Sequence, residues 1–461
     1  VSSSAGLAGG SGRAGSVVVR TADLTLVRGG YITTIGIQTD GGDISINATG
    51  DVTLVSEPGF NSLITSAATG GDAGDLSLTA GGALSLDGAV ISSDTFGPGD
   101  AGSLSIKAGS ITLENASGIS SSTDSFGNAG ALSIEARTIT LNSGSVFLSA
   151  ATPGSQGDAK SITIKADDIT VGETAAITTT TFGAGNAGAV DITAKSLRID
   201  GGEVSSSADL GATGVAGDVS IVADDLAVVN EGLLTTLSSN ENKAGTLRIA
   251  AGQITVENLS QISSANLADH RGDAGEVFIT AGGVRLSNGG VITTNSVAGA
   301  AGNIEIRIDR PGLLVLEGEE FAGAILTSSG PGTGGAITIT DPLAIVSNGG
   351  RILALGEQRG ANVVIQSRYF INSTDRRNIV EVDGEFQLET GLYDVSSGIT
   401  SRDISVLDAS KVLRGQCPAA RSTGAVSQLI TRPVGPYARE NAVDVLDRPA
   451  GAAASPFGSC P

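Results

Sequence analysis

The sequence lacks methionine and tryptophan, has a single histidine, and holds only two cysteines, Cys417 and Cys460, both near its end. Aromatic residues make up 3% of its 461 residues. A globular enzyme of this length normally packs aromatic side chains in its core, so the composition leans away from one. The one histidine, His270 in ANLADHRGDAG, has no second histidine and no nearby cysteine. A zinc site or a Ser-His-Asp arrangement therefore lacks its parts. The absence of cysteine before Cys417 suits a chain that crosses an oxidising compartment without mispairing. No apolar run is long enough to span a bilayer as a helix. Basic residues are in deficit, with 27 Lys and Arg against 48 Asp and Glu and a formal net charge of −21. That balance excludes nucleic acid as a partner, since binding there rests on cations neutralising phosphates. It also disfavours anionic membrane surfaces; its plainest role is to keep an exposed surface soluble.

What the chain has is glycine, 67 residues of it, together with Val, Ile, Leu, Ala, Ser and Thr in short alternating runs. Its 40% hydrophobic content is too high for a disordered chain. β-Branched and small residues favour strands and tight turns over helices. The text repeats: FGPGDAGSLSIKAGSITLENASGISSST is followed by FGNAGALSIEARTITLNSGSVFLSA and later by FGAGNAGAVDITAKSLRIDGGEVSSSA. The anchor is Ala-Gly or a close variant. Its second residues are Gly15, Gly42, Gly74, Gly102, Gly130, Lys160, Gly188, Gly217, Gly245, Gly275, Gly302, Gly335 and Asn362, at steps of 27 to 33 residues that centre on 28.

Each repeat reads as three short strands. After Gly102 comes Leu104–Ala108, then a small turn, Ile111–Leu113, a Gly or Asn turn, and a strand from Ile119 into Ser and Thr. Alternation puts Leu104, Ile106, Ile111, Leu113 and Ile119 on one side. No repeat can bury that side alone, and stacking buries it continuously. The sequence therefore predicts an all-β parallel solenoid of about 13 coils over residues 1–364, a rod of roughly 60 Å at ~4.8 Å per coil. A propeller needs blades of about 40 residues. Two coils bulge, at 42–74 with EPGFNS and at 302–335 with RIDRPGLLVLEGEEFAG. Insertions in solenoids map to loops on one face. Residues 365–415 lose the anchor but stay β-rich and read as a C-terminal cap that covers the last strand edges. Residues 416–461 read as an irregular Pro/Gly-rich tail with both cysteines. The chain starts in mid-pattern without Met, and reads as a fragment, or the C-terminal part, of a longer protein.

Candidate chemistry is sparse. Asp72, Asp100, Asp158 and Asp273 recur at the anchor, with Asn128 and Asn186 in the same place. Such interchange suits turn capping by a side-chain oxygen. The stretch GGDAGD at 70–75 resembles a calcium-binding nonapeptide but does not recur at nine residues. Arg271-Gly272-Asp273 spells an integrin-type motif, of which Gly272-Asp273 belongs to the anchor pattern. Glu317, Glu319 and Glu320 form the one acidic cluster, with Arg307 and Arg310 upstream. No catalytic, cofactor-binding or metal-binding residue is expected.

These repeats resemble the filamentous haemagglutinin-type exoproteins of two-partner secretion systems. So does the closing stretch Leu407-Asp408-Ala409-Ser410 through Leu413-Arg414-Gly415-Gln416-Cys417. The resemblance implies a right-handed parallel β-helix. It implies export through an outer-membrane β-barrel partner that recognises the family's N-terminal secretion domain, for which this chain shows no counterpart. Some members close a C-terminal disulfide loop that helps retain them at the cell surface. The resemblance extends that pairing to Cys417 and Cys460, with two separate thiols as the alternative. The family's tail ends in Leu-Pro-Pro, and LITRPVGPYARENAV matches it only in part. The expected function is a secreted, cell-surface-associated filamentous adhesin, non-enzymatic and without cofactors, acting on an unknown cell-surface or glycan ligand as a rigid stalk or as a Ser/Thr-lined adhesive surface. The alternative is a β-helix enzyme acting on extracellular polysaccharide. A toxin carrier is a third reading, disfavoured because no effector domain is visible.

Overall fold

The structure is a computed structural model. It describes residues 1–6, 12–269, 271–309, 311–318, 321–357, 361–372, 378–390 and 429–430. Among these there is no helix, and every pairing between named strands is parallel, each strand lying beside its counterpart one coil on. The chain winds as a parallel β-solenoid of about 13 turns of roughly 28 residues. Leu104 lies beside Leu132, Leu132 beside Ile162, and Ile162 beside Val190.

Each coil has three faces in the order the repeat suggests. Face three is a single 15-stranded sheet running from Ser2–Ala5 through Gly118–Thr123 and Val291–Ser296 to Leu429–Ile430. Faces one and two depart from the expected pair of separate strands. In six coils they form one continuous strand, as in Leu104–Glu114, Val190–Asp200 and Val277–Ser287. The register shows why no turn is needed: Ala108 pairs with Ala136 and Ser110 with Thr138, while Gly109 between them drops out of the ladder. One residue left out of the register, Gly109 in this coil and Arg137, Lys195 or Asp224 in others, bends the strand from one face to the next.

The interior is a set of columns of like on like. Leu76, Leu104, Leu132 and Ile162 form one; Leu78, Ile106, Ile134 and Ile164 form the next; Ile91, Ile119, Phe147 and Ile177 line face three. All are fully buried. Each buried side chain contributes about 1.5–3 kcal/mol. Stacking lets every coil share that burial with two neighbours, so strands of two or three inward residues suffice.

One interior column is polar. Ser66, Ser93, Ser121, Ser149, Ser206 and Ser264 point inward from face three and are fully buried. Ser121 donates from Oγ to the carbonyl of Gly102, at the start of its own coil, at 3.2 Å. It accepts the N–H of Gly130, at the start of the next, at 2.7 Å. Ser93 and Ser206 make the same pair of bonds with their anchors. The recurrent Ala-Gly anchor is thus the backbone to which a buried hydroxyl fastens the coil's end. Ser121→Ala is expected to orphan the Gly130 N–H and cost about 2 kcal/mol, read from the urea midpoint. A cost below a few tenths would mean that water takes the hydroxyl's place.

The first bulge opens at the corner between faces two and three, and the second is shared between that corner and the one between Ile304–Ile308 and Leu313–Glu317. Glu57 and Phe60 bridge across the first, between Val52–Val55 and Leu63–Ala68. The second's part at the same corner lies between Leu313–Glu317 and Ala324–Ser329. Within 365–415, the described strands Tyr369–Asn372, Asn378–Val382 and Phe386–Glu389 follow the coil path, each paired in parallel with the coil before. Apart from Leu429–Ile430, residues 416–461 lie outside the described residues.

Candidate binding groove

The three faces differ in what they show to solvent. Outward residues of face one are mostly exposed and mix Ser, Thr and Val with charged side chains, some in cross-coil ion pairs such as Lys107–Glu135 at 2.7 Å and Arg248–Asp218 at 3.0 Å. On face three, between Leu63–Ala68 and Leu233–Ser238, the outward positions hold only two charged residues, Asp94 and Glu203. The rest are Ser, Thr, Ala, Gly, Val and Leu.

Face three is also recessed. Outward serines on face one, such as Ser77 and Ser105, are exposed, whereas Ser92 and Ser205 on face three are only 3% and 1% exposed. Valine behaves alike, with Val222 of face one 50% exposed and Val291 of face three 3%. Other outward positions of face three, such as Val90, Ser120 and Val146, are half-buried, which is what flanking corners and neighbouring side chains standing over the sheet produce. Face three is therefore the floor of a groove along the rod.

Several of its floor hydroxyls bond to one another. Thr178 and Ser205 meet at 2.9 Å, Thr65 and Ser92 at 3.2 Å, and Ser207 donates to Thr180 at 2.9 Å. One rim is the glycine-rich corner after face three. It carries Phe96 and Phe126, 55% and 64% exposed, followed along the rod by Leu210, Leu267 and Val297. The other rim, between faces two and three, carries Tyr31, Phe60 and Leu259.

Asp94 sits on the floor beside Ala67 and Ser122. Burial pushes its carboxyl up to about 6; hydrogen bonds with Ser92 and Ser122 oppose the rise and the nearby Asp124 adds to it. A carboxyl whose folded pKa is raised favours the fold fully below its unfolded value and loses that contribution as pH climbs through the folded value. Asp94→Ser is therefore expected to be nearly neutral at pH 4 and to raise stability by roughly 1–2 kcal/mol at pH 8. Unfolding midpoints at the two pH values check this, and equal shifts at both would refute it.

A second feature lies on the rim at the later bulge. Glu257, Arg285, Ser287, Asn288, Glu317 and Asn348 line a recess of about 350 Å³. Glu317 pairs with Arg285 of the preceding coil. Ser287 Oγ lies 3.4 Å from a carboxylate oxygen of Glu257. The Asn348 side-chain oxygen is buried there without a hydrogen-bond partner.

Of the acidic cluster read from the sequence, Glu317 faces this recess. Arg307 is on face one and pairs with Asp309 and Asp341 instead. Glu257 and Arg285 join Glu317 from earlier coils; their offsets of about one and two periods were the only sequence signal for them. Asp72, Asp100, Asn128, Asp158 and Asn186 form a ladder, each side-chain oxygen accepting the N–H of the next, as from Asp100 to Asp72 at 2.8 Å and from Asn186 to Asp158 at 2.8 Å. The capping is between coils rather than within a turn. Asp273 does the same for Ala300 at 2.7 Å, and the carbonyl of its neighbour Gly272 holds Ser296 at 2.7 Å. Arg271-Gly272-Asp273 is thus built into the stack at its last two residues. His270, Arg310, Glu319, Glu320, Cys417 and Cys460 lie outside the described residues.

No protein-family model, no curated protein and no solved structure matches the chain.

Proposed function

We propose that the chain is part of a secreted, cell-surface-associated filamentous adhesin of the haemagglutinin-type exoprotein kind. It is non-enzymatic and holds a binding surface away from the cell on a stiff rod. The observation that carries this reading is the recessed, nearly uncharged groove that repeats coil after coil along face three. A surface that repeats every ~4.8 Å offers a long ligand many weak, equivalent contacts, and their sum gives avidity without one strong site. The hydroxyls that serve this purpose are the outward ones; the inward serines hold coils together.

The proposal places the protein outside a Gram-negative-type cell, exported through an outer-membrane β-barrel. The test is genetic. Deleting the gene for a neighbouring outer-membrane barrel is expected to trap the protein in the periplasm, and deleting the protein's own gene to reduce attachment of the cells. Protein found in the cytoplasm of intact cells, or attachment unchanged, would overturn the reading.

The recess at Glu257, Arg285 and Glu317 favours a second reading, a polysaccharide-cleaving enzyme. Glu257 and Glu317 both pair with Ser287, from the coils on either side of it. Two carboxylates from coils on either side thus line one recess, the kind of pairing that glycosidases use. Release of reducing ends from polysaccharide, lost in Glu317→Gln, would favour it over the adhesin.

A further inference from the structure

The groove is not uniform along the rod, and one stretch differs chemically from the rest. Phe96 and Phe126 project from successive coils of the glycine-rich rim. Phe96 follows Thr95, which pairs with Thr123, so Asp124 lies above Phe96 and Phe126 two residues further round. The same column continues through Thr152 to Phe182, which is partly exposed, about 14 Å beyond Phe96 at the coil spacing. Between the rings stand Asp124 and Thr152, joined at 2.7 Å. Asp209 follows Phe182 in the column and accepts from Thr180 on the floor at 2.9 Å. Asp94, Ser122 and Thr180 supply the adjoining floor.

Three features of this stretch point the same way. Two exposed rings on successive coils, offset by two residues round the rim, offer apolar surface at the groove's edge, which suits the C–H faces of pyranose rings. Carboxylates and hydroxyls interleave with the rings, which suits equatorial sugar hydroxyls, since a carboxylate accepts and a hydroxyl both donates and accepts. The charge is one-sided: Asp94, Asp124, Asp209 and Glu203 face or flank the groove here, and no Lys or Arg occupies an outward position on these face-three strands. A sulfated or uronate-bearing polymer would be repelled, and its anions would find no guanidinium fork. The floor needs little rehydration or rearrangement because several of its hydroxyls already bond to one another.

We infer that the groove across the coils of Phe96, Phe126 and Phe182 binds a linear uncharged polysaccharide, lying along the rod with sugar rings stacked on Phe96 and Phe126. This deepens the adhesin reading by naming the ligand class and the place, and it rests on that reading for its biological meaning. The carboxylates set the specificity by exclusion, and the rings supply most of the affinity.

The test is affinity electrophoresis of the full chain in gels carrying hydroxyethyl cellulose, galactomannan or soluble starch, with carboxymethyl cellulose as the anionic counterpart. Retardation by at least one neutral polymer is expected, with none by carboxymethyl cellulose. Phe96→Ala with Phe126→Ala is expected to weaken binding at least tenfold. Val222→Ala, an exposed apolar side chain on face one, away from the groove, is expected to leave it unchanged. Both substitutions are at the surface, and an unaltered thermal unfolding curve shows that the coils are intact. Indifference to all three neutral polymers, equal retardation by carboxymethyl cellulose, or full binding by the double variant would each overturn the inference. Attachment of cells carrying the double variant separates the two levels. Attachment kept while polymer binding is lost refutes this groove as the adhesive site but leaves the adhesin reading standing. Attachment lost in the gene deletion and in the double variant alike supports both.

Discussion

Phe147→Ala is expected to cost the stack about 3–5 kcal/mol and to concentrate the damage in a few coils. Phe147 is fully buried and takes a place held by isoleucine on either side, Ile119 below and Ile177 above. Removing its ring empties the middle of a column whose neighbours are fixed by backbone pairing on both sides, so the space cannot collapse. In a solenoid each coil touches only its neighbours, and a local loss stays local. Hydrogen exchange should therefore show protection falling in Gly118–Thr123, Val146–Ala151 and Ala176–Thr181, while Val291–Ser296 keeps its own. Uniform loss along the chain would mean that the rod unfolds as one unit and would refute the local account.

Gly127→Val is the second large effect, about 3 kcal/mol, and its cause is crowding rather than a void. Gly71, Gly99, Gly127, Gly157, Gly185 and Gly214 lie one above the next at the corner after face three. A Cβ on Gly127 would overlap the carbonyl of Gly99 below it, and one on Gly157 would overlap the carbonyl of Gly127. Both obstacles are backbone, so no side chain can swing aside. The Gly127 carbonyl also accepts the Thr123 hydroxyl at 2.6 Å, a bond that a forced shift would break. Gly118→Ala is the control. A Cβ there meets nothing closer than Val146 Cγ2 at 3.7 Å, and the change is expected to be neutral or slightly stabilising. Equal costs for the two would show that glycine acts here through chain entropy and not through space. Both are read from urea unfolding followed by circular dichroism.

The architecture was legible because the chain repeats its instructions. Leu104, Leu132 and Ile162 occupy the same place in successive repeats, and the structure stacks them. The bend between faces one and two differs from the expected turn, because a single residue left out of the register, Gly109 in one coil and Arg137 in the next, bends the strand while its neighbours stay paired. The Ser/Thr strand was read as an outward adhesive surface in one piece. Period two applied past Ile119 already sends Ser121 inward and Ser120 and Ser122 outward, so that half of the answer was present in the letters. The groove was not, since its depth depends on how high the two corners stand. Nor was the recess beside Glu317, whose partners Arg285 and Glu257 lie in earlier coils and become neighbours only through the winding.

The ladder from Asp72 through Asp100, Asn128 and Asp158 to Asn186 has a mechanical meaning. Its bonds, like those of the sheets, run from coil to coil, so tension along the rod loads every coil boundary in series. The weakest boundary yields first and the others keep their bonds. A coil of about 28 residues adds ~4.8 Å to the rod when wound and reaches about 95 Å when drawn straight. Each release therefore pays out close to twenty times the length it surrenders. A cell held by such a rod would meet a sudden pull with stepwise yielding, while the groove on the coils still wound kept its shape.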